Sequence, residues 1–138
     1  MTQLLRVGVS ILLTAGFGCG GPSDPPPTDT GARAAAHGFA DAVVRRDWPA
    51  AQALLAQDGR PAWTPAEFAR RGEGYRQKFG FEPTAAHLRT LEERGDEATA
   101  HLDYSGNAAG RHHFKETLTL RRRDGAWAVV LPARFGQR

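Results

Sequence analysis

The sequence predicts an α+β fold, with N-terminal helices packed into a strongly curved antiparallel sheet of about four strands. Two patterns carry this prediction. Apolar residues between positions 34 and 80 recur at helical spacing, whereas those after Pro83 alternate with polar residues, as in a half-buried strand. In addition, Asp124-Gly125 supplies the positive φ angles that a tight hairpin turn needs.

The first two predicted helices lie close together in the chain. Residues 34–46 carry an apolar stripe that includes Phe39 and Val43. A second helix is predicted to begin after Asp47, whose carboxylate can accept from free backbone N–H groups, and to continue to about Ala56.

The third helix has the clearest local signal. Thr64-Pro65-Ala66-Glu67 is typical of a capping box with proline in the first helical position. The helix is expected to end at Gly80. Its predicted inward side carries Phe68, Tyr75 and Phe79, and its predicted exposed side carries Arg70, Arg71, Arg76 and Lys78.

Four strands are predicted in the second half of the chain. Residues 87–94 form the first, although Leu88 and Leu91 are spaced as in a helix, and residues 98–105 form the second. A loop over residues 106–110 then leads into a third strand, which the Asp124-Gly125 turn joins to a final strand ending at Leu131.

The turns also predict how the strands pair. Counting from Asp124-Gly125 places Leu120 opposite Val129 and Leu118 opposite Leu131. A loop over residues 106–110 places three further pairs opposite each other: Leu102 with Phe114, Ala100 with Glu116, and Tyr104 with His112. The inner face of the third strand then reads His112, Phe114, Glu116, Leu118 and Leu120.

Three segments, "FADAVVRRDWPAAQALL", "GDEATAHLDYSG" and "HHFKETLTLRRRDGAWAVV", resemble the nuclear transport factor 2-like superfamily, also called SnoaL-like or cystatin-like cones. The resemblance spans residues 34–135 and implies one domain over residues 33–138, with a pocket between sheet and helices. The candidates for lining that pocket are Phe68, Tyr75, Tyr104, Phe114 and Trp127. The superfamily includes isomerases, cyclases, dehydratases and inert binding domains, so the fold leaves the activity open.

Residues 1–18 follow the layout of a secretory signal, with Arg6 before a short apolar run and small residues before Cys19. The run is shorter than the roughly 20 residues that span a bilayer. It resembles a bacterial lipoprotein signal, whose cysteine is acylated, although Gly16 stands where leucine is common. The alternative is an ordinary signal peptide cut elsewhere, with Cys19 incidental. As the single cysteine of the chain, Cys19 has no disulfide partner within it.

Residues 19–32 are rich in proline and glycine and contain no large apolar residue, which predicts a disordered tether. The expected location is the bacterial envelope, with the protein anchored through acylated Cys19 and facing the periplasm or the surface. Gly20 offers no acidic retention signal, so the outer membrane is favoured by analogy.

The best candidates for chemistry are Glu116, Tyr104 and His112. A carboxylate on an apolar wall would have a raised pKa, as a proton-abstracting base requires, and Tyr104 could donate to a developing enolate, as in the ketosteroid isomerase type of site. Alternatively, Glu116 opens to solvent at the sheet rim or meets an arginine. We assign no catalytic residue on this evidence.

Composition and motifs argue against several other functional classes. The chain has 18 basic and 15 acidic residues, which does not predict a nucleic-acid surface. No phosphate loop or cofactor motif occurs, and Ser105-Gly106-Asn107 is typical of a turn rather than a nucleophile elbow. We expect no metal site, because His112 and His113 point to opposite faces, and because His101, Asp103 and His113 would form an exposed set without supporting groups.

The sequence therefore favours an envelope lipoprotein whose domain binds a small ligand or a protein partner without catalysis. The alternative is an isomerase- or cyclase-like enzyme that uses Glu116 as base with Tyr104 and His112. A homodimer formed through the sheet is a further possibility.

Overall fold

The structure is a computed structural model that describes residues 30–57, 62–107 and 109–136, with only the backbone described at Arg111. The signal segment, Cys19 and all but the end of the predicted tether lie outside these residues. The helices are α1 (Ala32–Arg45), α2 (Trp48–Ala53) and α3 (Pro65–Gln77). The strands are β1 (Ala85–Arg94), β2 (Glu97–Asn107), β3 (Arg111–Arg123) and β4 (Ala126–Val130), followed by a 3-10 turn at Ala133–Phe135.

The strands form one antiparallel sheet in the order β1-β2-β3-β4, with the helices packed against one face. This is the predicted α+β architecture with a curved four-stranded sheet, and it is confirmed. None of the described helices is both long enough and apolar enough to cross a bilayer.

Both predicted helix caps are present. The Asp47 carboxylate accepts from the Ala50 N–H at 3.1 Å at the start of α2. At the start of α3, the Thr64 hydroxyl accepts from the Glu67 N–H, and the Glu67 carboxylate accepts from the Thr64 N–H. These local hydrogen bonds fix where two helices begin.

The second helix is shorter than predicted. It ends at Ala53 rather than near Ala56 because the chain then runs alongside β4. The Val129 N–H donates to the Leu54 carbonyl, and the Ala56 N–H donates to the Val129 carbonyl, each at 2.8 Å. Pairing with the edge of the sheet therefore replaces the last helical turn.

The predicted turn at Ser105-Gly106-Asn107 is wrong, because β2 continues through Asn107. The loop between β2 and β3 is accordingly two residues shorter than predicted, and every partner across that hairpin moves by two positions. Across β2 and β3, the observed pairs are Leu102 with Glu116, Ala100 with Leu118, Tyr104 with Phe114, and Gly106 with His112. A shift of two keeps each side chain on its predicted face.

The inner face of the sheet is the apolar one, as predicted. Leu118 and Leu120 are fully buried, while Thr117 and Thr119 between and beside them are exposed. Leu120 pairs with Val129 as predicted, but the predicted pairing of Leu118 with Leu131 does not form. The last β3–β4 pair is Thr119 with Val130, and β4 ends at Val130, two residues before Pro132, which lacks an N–H donor.

The first strand contains a β-bulge between Leu88 and Thr90. Leu88 pairs with Leu102 and Leu91 with Ala100, so both leucines lie on the inner face although three positions separate them. The helix-like spacing of these leucines is therefore produced by a strand with one extra residue, Arg89.

The predicted exposure of Arg76 is wrong. Arg76 is 3% exposed, and its Nη1 donates to the carbonyls of Val43 and Val44 at 2.8 Å each, at the end of α1. Its Nη2 pairs with Glu82. Arg71 is half-buried, with its guanidinium 4.4 Å from the centre of the Trp63 ring.

Candidate functional site

Three polar side chains, which we call the inner cluster, meet on the inner face of the sheet. Tyr75 comes from α3, Tyr104 from β2 and Glu116 from β3. The Tyr75 hydroxyl donates a 3.0 Å hydrogen bond to Oε2 of Glu116. Tyr75 is 1% exposed and Tyr104 is fully buried, whereas Glu116 is half-buried, so the two hydroxyls lie within the apolar core and the carboxylate lies at its edge.

The second carboxylate oxygen of Glu116 is also engaged. Its Oε1 accepts from the Thr117 N–H at 3.0 Å. Regular pairing of β3 with β4 ends at Thr119, so the Glu116 side chain satisfies a backbone donor at a position that β4 does not reach. Glu116 therefore has a clear structural role on the strand.

Burial raises the pKa of both tyrosine hydroxyls above the ordinary value, and the charge of Glu116 raises them further. Both phenols are therefore neutral donors. Within the described part of the chain, no atom has hydrogen-bond geometry with the Tyr104 hydroxyl, although the Tyr75 hydroxyl is close enough to affect its pKa. A buried hydroxyl without a partner is unfavourable, and a ligand oxygen placed against it would satisfy it.

Aromatic rings surround the inner cluster. Phe79 stacks on Tyr104 with ring centres 4.7 Å apart and on Phe114 with ring centres 4.4 Å apart. Tyr75 contacts the edge of Phe79 at 5.1 Å. These rings pack closely against one another, so the surroundings of the inner cluster are apolar.

A second polar group lies on the opposite, outer face of the sheet. Asp103 of β2 has a side chain that is only 6% exposed, and its carboxylate accepts from Nη2 of Arg89 at 2.7 Å. Nδ1 of His113 lies 3.1 Å from Oδ1 of the same carboxylate. Burial alone would raise the pKa of Asp103, but the hydrogen bonds from Arg89 and His113 outweigh it and lower that pKa.

A groove of about 570 Å³ opens beside Asp103. We call it the outer groove. Its lining residues are Arg89, His101, Leu102, Asp103, Lys115, Glu116 and Thr117. Within residues 30–57, 62–107 and 109–136, no three His, Cys, Asp or Glu side chains are placed to hold a metal ion.

Solved structures similar to this chain have low sequence identity to it. A ketosteroid isomerase-like protein from Erwinia carotovora atroseptica matches with a TM-score of 0.55 and 24% identity, over 75% of this chain and 92% of its own. A candidate NTF2-like transpeptidase from Campylobacter jejuni matches with a TM-score of 0.54 and 11% identity, over 72% and 96% of the two chains. No family model and no curated protein matches the sequence. The chain has an NTF2-like fold.

Structural similarity at sequence identities below one quarter establishes the fold alone and leaves the activity open. The NTF2-like domain brings Tyr104 and Glu116 into one region, together with Tyr75 and Phe114. His112 is half-buried and stacks on Phe81 at 5.6 Å. It lies roughly 13 Å along β3 from Glu116 at about 3.3 Å per residue, so His112 is separate from the inner cluster.

The remaining predicted lining residues occupy different parts of the NTF2-like core. Phe68 stacks on Phe135 at 4.8 Å, and Phe135 in turn contacts Tyr75 at 5.2 Å. Trp127 pairs with Arg122 at the hairpin end of β3 and β4, which is roughly 26 Å along the strand from Phe114 at about 3.3 Å per residue. Phe68 is thus connected to the inner cluster through Phe135, whereas Trp127 lies at the other end of the sheet.

The role of Arg89 was not predicted. His101, Asp103 and His113 were predicted to form an exposed set on the outer face. The prediction that Asp103 lacks supporting groups is wrong, because Arg89 and His113 cover its carboxylate. The only sequence signal for Arg89 was the irregular spacing of Leu88 and Leu91, which reflects the bulge that carries this arginine.

Proposed function

We propose that this protein is an exported, membrane-anchored lipoprotein whose NTF2-like domain binds a small ligand or a protein partner without catalysis. The observation that supports the binding role is the engagement of Glu116. Oε2 accepts from Tyr75 and Oε1 from Thr117, whereas a general base needs an oxygen directed at the substrate proton.

The inner cluster offers a ligand two kinds of contact. Phe79 and Phe114, which stack on each other, form an apolar wall, and the buried Tyr104 hydroxyl is available as a donor. A small, largely apolar molecule with one oxygen acceptor suits this combination. Another envelope protein is the second kind of partner that we consider, and a homodimer through the sheet is a third.

Native mass spectrometry of the protein purified from its own cells tests the binding role. We expect a retained ligand or partner in the wild type and equal occupancy in Glu116→Gln. Glu97→Gln is the matched control, because its carboxylate is 66% exposed on the outer end of β2. A Glu116→Gln protein that folds but accumulates an unconverted substrate would contradict the proposal and favour catalysis.

An isomerase- or cyclase-like enzyme is the alternative, and the buried Tyr104 hydroxyl favours it. A neutral phenol without a partner can stabilise an oxyanion that forms during enolisation. In that case Glu116 would abstract the proton, and its bond with Tyr75 would rearrange when substrate binds. Conversion of unsaturated cyclic ketones to conjugated enones, followed by absorbance, tests this alternative. Activity that Glu116→Gln and Tyr104→Phe both abolish would support it.

Membrane attachment is tested by fractionation of the producing cells. We expect the wild type in the membrane fraction and Cys19→Ser in the soluble exported fraction, because the serine cannot carry the thioether lipid. Ser23→Ala, in the same tether, should fractionate as the wild type does. Equal membrane association of Cys19→Ser, or an N-terminal peptide without lipid mass, would contradict the anchor.

Sedimentation of the protein in detergent, compared with monomer and dimer masses, tests self-association.

A further inference from the structure

The outer groove contains hydrogen-bond donors that have no acceptor among the described residues. Arg89 binds Asp103 through Nη2 alone, so its Nη1 and Nε have no hydrogen-bond partner among the described residues. The Lys115 ammonium likewise makes no hydrogen bond or ion pair with any described residue. Because both side chains line one groove, the unused donors of a guanidinium and an ammonium are available to the same bound molecule.

Asp103 does not neutralise Lys115, although the two residues are direct partners across β2 and β3. The Asp103 carboxylate is already bound by Arg89 and His113. This pairing restrains the Arg89 side chain, which is otherwise 60% exposed. A restrained guanidinium loses less conformational entropy when a ligand binds.

Arg89 owes its position to the β-bulge in β1. Arg89 is the extra residue of this bulge: Leu88 pairs with Leu102 and Thr90 with His101, and Arg89 between them has no partner on β2. Bulges commonly redirect a side chain at functional positions. The bulge therefore provides a structural reason for the contact between Arg89 and Asp103.

Other polar side chains extend the same surface. Nδ1 of His101 lies 3.2 Å from the Thr117 hydroxyl. When Nδ1 accepts from Thr117, Nε2 carries the ring proton and can donate to a ligand. The one other carboxylate of the groove, Glu116, has its oxygens bound to Tyr75 and Thr117.

We propose that the outer groove binds a small anionic ligand, bearing a carboxylate or a phosphate group, through Arg89 and Lys115. The groove volume of about 570 Å³ suits a small metabolite. Arginine and lysine together are well matched to oxyanions, arginine by its fork of donors and lysine as a mobile charge. Glu116 lines the groove and also belongs to the inner cluster, but neither Arg89 nor Lys115 does, so the charges that would hold the anion are separate from the groups proposed to bind the apolar ligand.

The test uses the full chain, labelled with ¹⁵N and held in a mild nonionic detergent. Inorganic phosphate and malonate are titrated separately at constant ionic strength. We expect saturable shifts of the Arg89, Asp103 and Lys115 amides with at least one of the two anions. Tighter binding of malonate would identify a carboxylate ligand, and tighter binding of phosphate a phosphorylated one.

Lys115→Ala is the decisive variant because it removes no described contact and should fold normally. It should weaken anion binding on the order of tenfold, which is the usual effect of losing one hydrogen bond to a charged group. Arg94→Ala is the matched control. It removes the same charge from β1, but Arg94 is 86% exposed and pairs only with Glu92 among the described residues.

Two outcomes would overturn the proposal. One is the absence of saturable shifts at these amides with either anion. The other is equal weakening by Lys115→Ala and Arg94→Ala, which would mean general attraction to positive charge rather than a site. Arg94→Ala should instead change the affinity less than about twofold, as expected for a distant exposed charge.

Discussion

The Tyr75 hydroxyl lies 3.0 Å from Oε2 of Glu116, and this hydrogen bond joins α3 to β3 inside the core. The acceptor is a carboxylate and the surroundings are apolar, two conditions that strengthen a hydrogen bond. The bond therefore helps fix the third helix over the inner face of the sheet. Any ligand that reaches Glu116 has to accommodate this bond or replace it.

Removal of the Tyr75 hydroxyl should destabilise the protein. We expect Tyr75→Phe to lower the free energy of unfolding by about 2 kcal/mol, because a bond to a charged acceptor is lost without a change in ring packing. Urea unfolding followed by far-UV circular dichroism measures this. Tyr104→Phe is the matched control, since its hydroxyl has no hydrogen-bond partner among the described residues. That variant should be neutral or stabilised, and an equal loss in both variants would contradict the assignment.

The two tyrosines also predict how the protein unfolds in alkali. The chain contains only Tyr75 and Tyr104, and burial raises the pKa of both hydroxyls. A raised folded-state pKa gives stability that is complete below the unfolded pKa near 10 and is lost as pH rises above it. Each tyrosine should then reduce stability by about 1.4 kcal/mol per pH unit.

Tyrosinate absorbance near 295 nm should accordingly appear only together with loss of circular dichroism. In Tyr104→Phe, the dependence on pH above 10 should become less steep, because one of the two protons is removed from the equilibrium. Tyrosinate absorbance that develops near pH 10 while the fold persists would show that these hydroxyls reach solvent, and would contradict the buried arrangement.

The sequence was most informative where structure depends on neighbouring residues. Asp47 and the Thr64–Glu67 box were predicted because a capping side chain bonds to backbone within three positions. The inner face of β3 was predicted because alternation has a fixed period. Both inferences need only local geometry, which a single sequence contains.

Features that depend on distant parts of the chain were not predictable in this way. In the sequence, Arg76 is not distinguishable from Arg70, which is exposed on the same helix. In the structure, however, Arg76 is buried and donates to carbonyls at the end of α1. The loop after β2 is shorter by two residues because Gly106 continues the pairing. Similarly, the contact of Arg89 with Asp103 depends on a bulge. In each case the deciding partner is remote in sequence or the irregularity has no fixed pattern.

Arg76 should contribute strongly to stability through its bonds to the end of α1. We expect Arg76→Met to lower the free energy of unfolding by about 3 kcal/mol, because carbonyls including the buried Val43 oxygen lose a charged donor. Arg70→Met, at an exposed position on the same helix, should change it by less than about 0.5 kcal/mol. Equal losses in the two variants, measured by urea unfolding, would contradict the buried role.

Two glycines should respond in opposite directions to alanine. A Cβ at Gly106 would overlap the Glu82 carbonyl oxygen and lie 2.7 Å from the Phe81 ring, so Gly106→Ala should destabilise by about 2 kcal/mol or more. A Cβ at Gly74, within α3, meets no atom within 4 Å. Gly74→Ala should therefore stabilise by up to about 1 kcal/mol through helix propensity. Melting temperatures of the two variants give both signs, and a stable Gly106→Ala would show that residues 81 and 82 do not cover β2.

Asp103 should make stability depend on acidity. Arg89 and His113 hold its pKa below the usual value despite burial, so this contribution is present above the unfolded pKa near 3.9 and is lost as pH falls through the folded pKa. In Asp103→Asn that contribution is absent. The stability difference between wild type and Asp103→Asn should therefore be largest near neutral pH and shrink below about pH 4. Asp41→Asn is the control, because the Asp41 side chain is 48% exposed and pairs with Arg45 one helical turn away. If urea unfolding between pH 3 and 7 gives the same profile for both variants, the covered carboxylate beneath the outer groove is contradicted, and with it the restraint on Arg89.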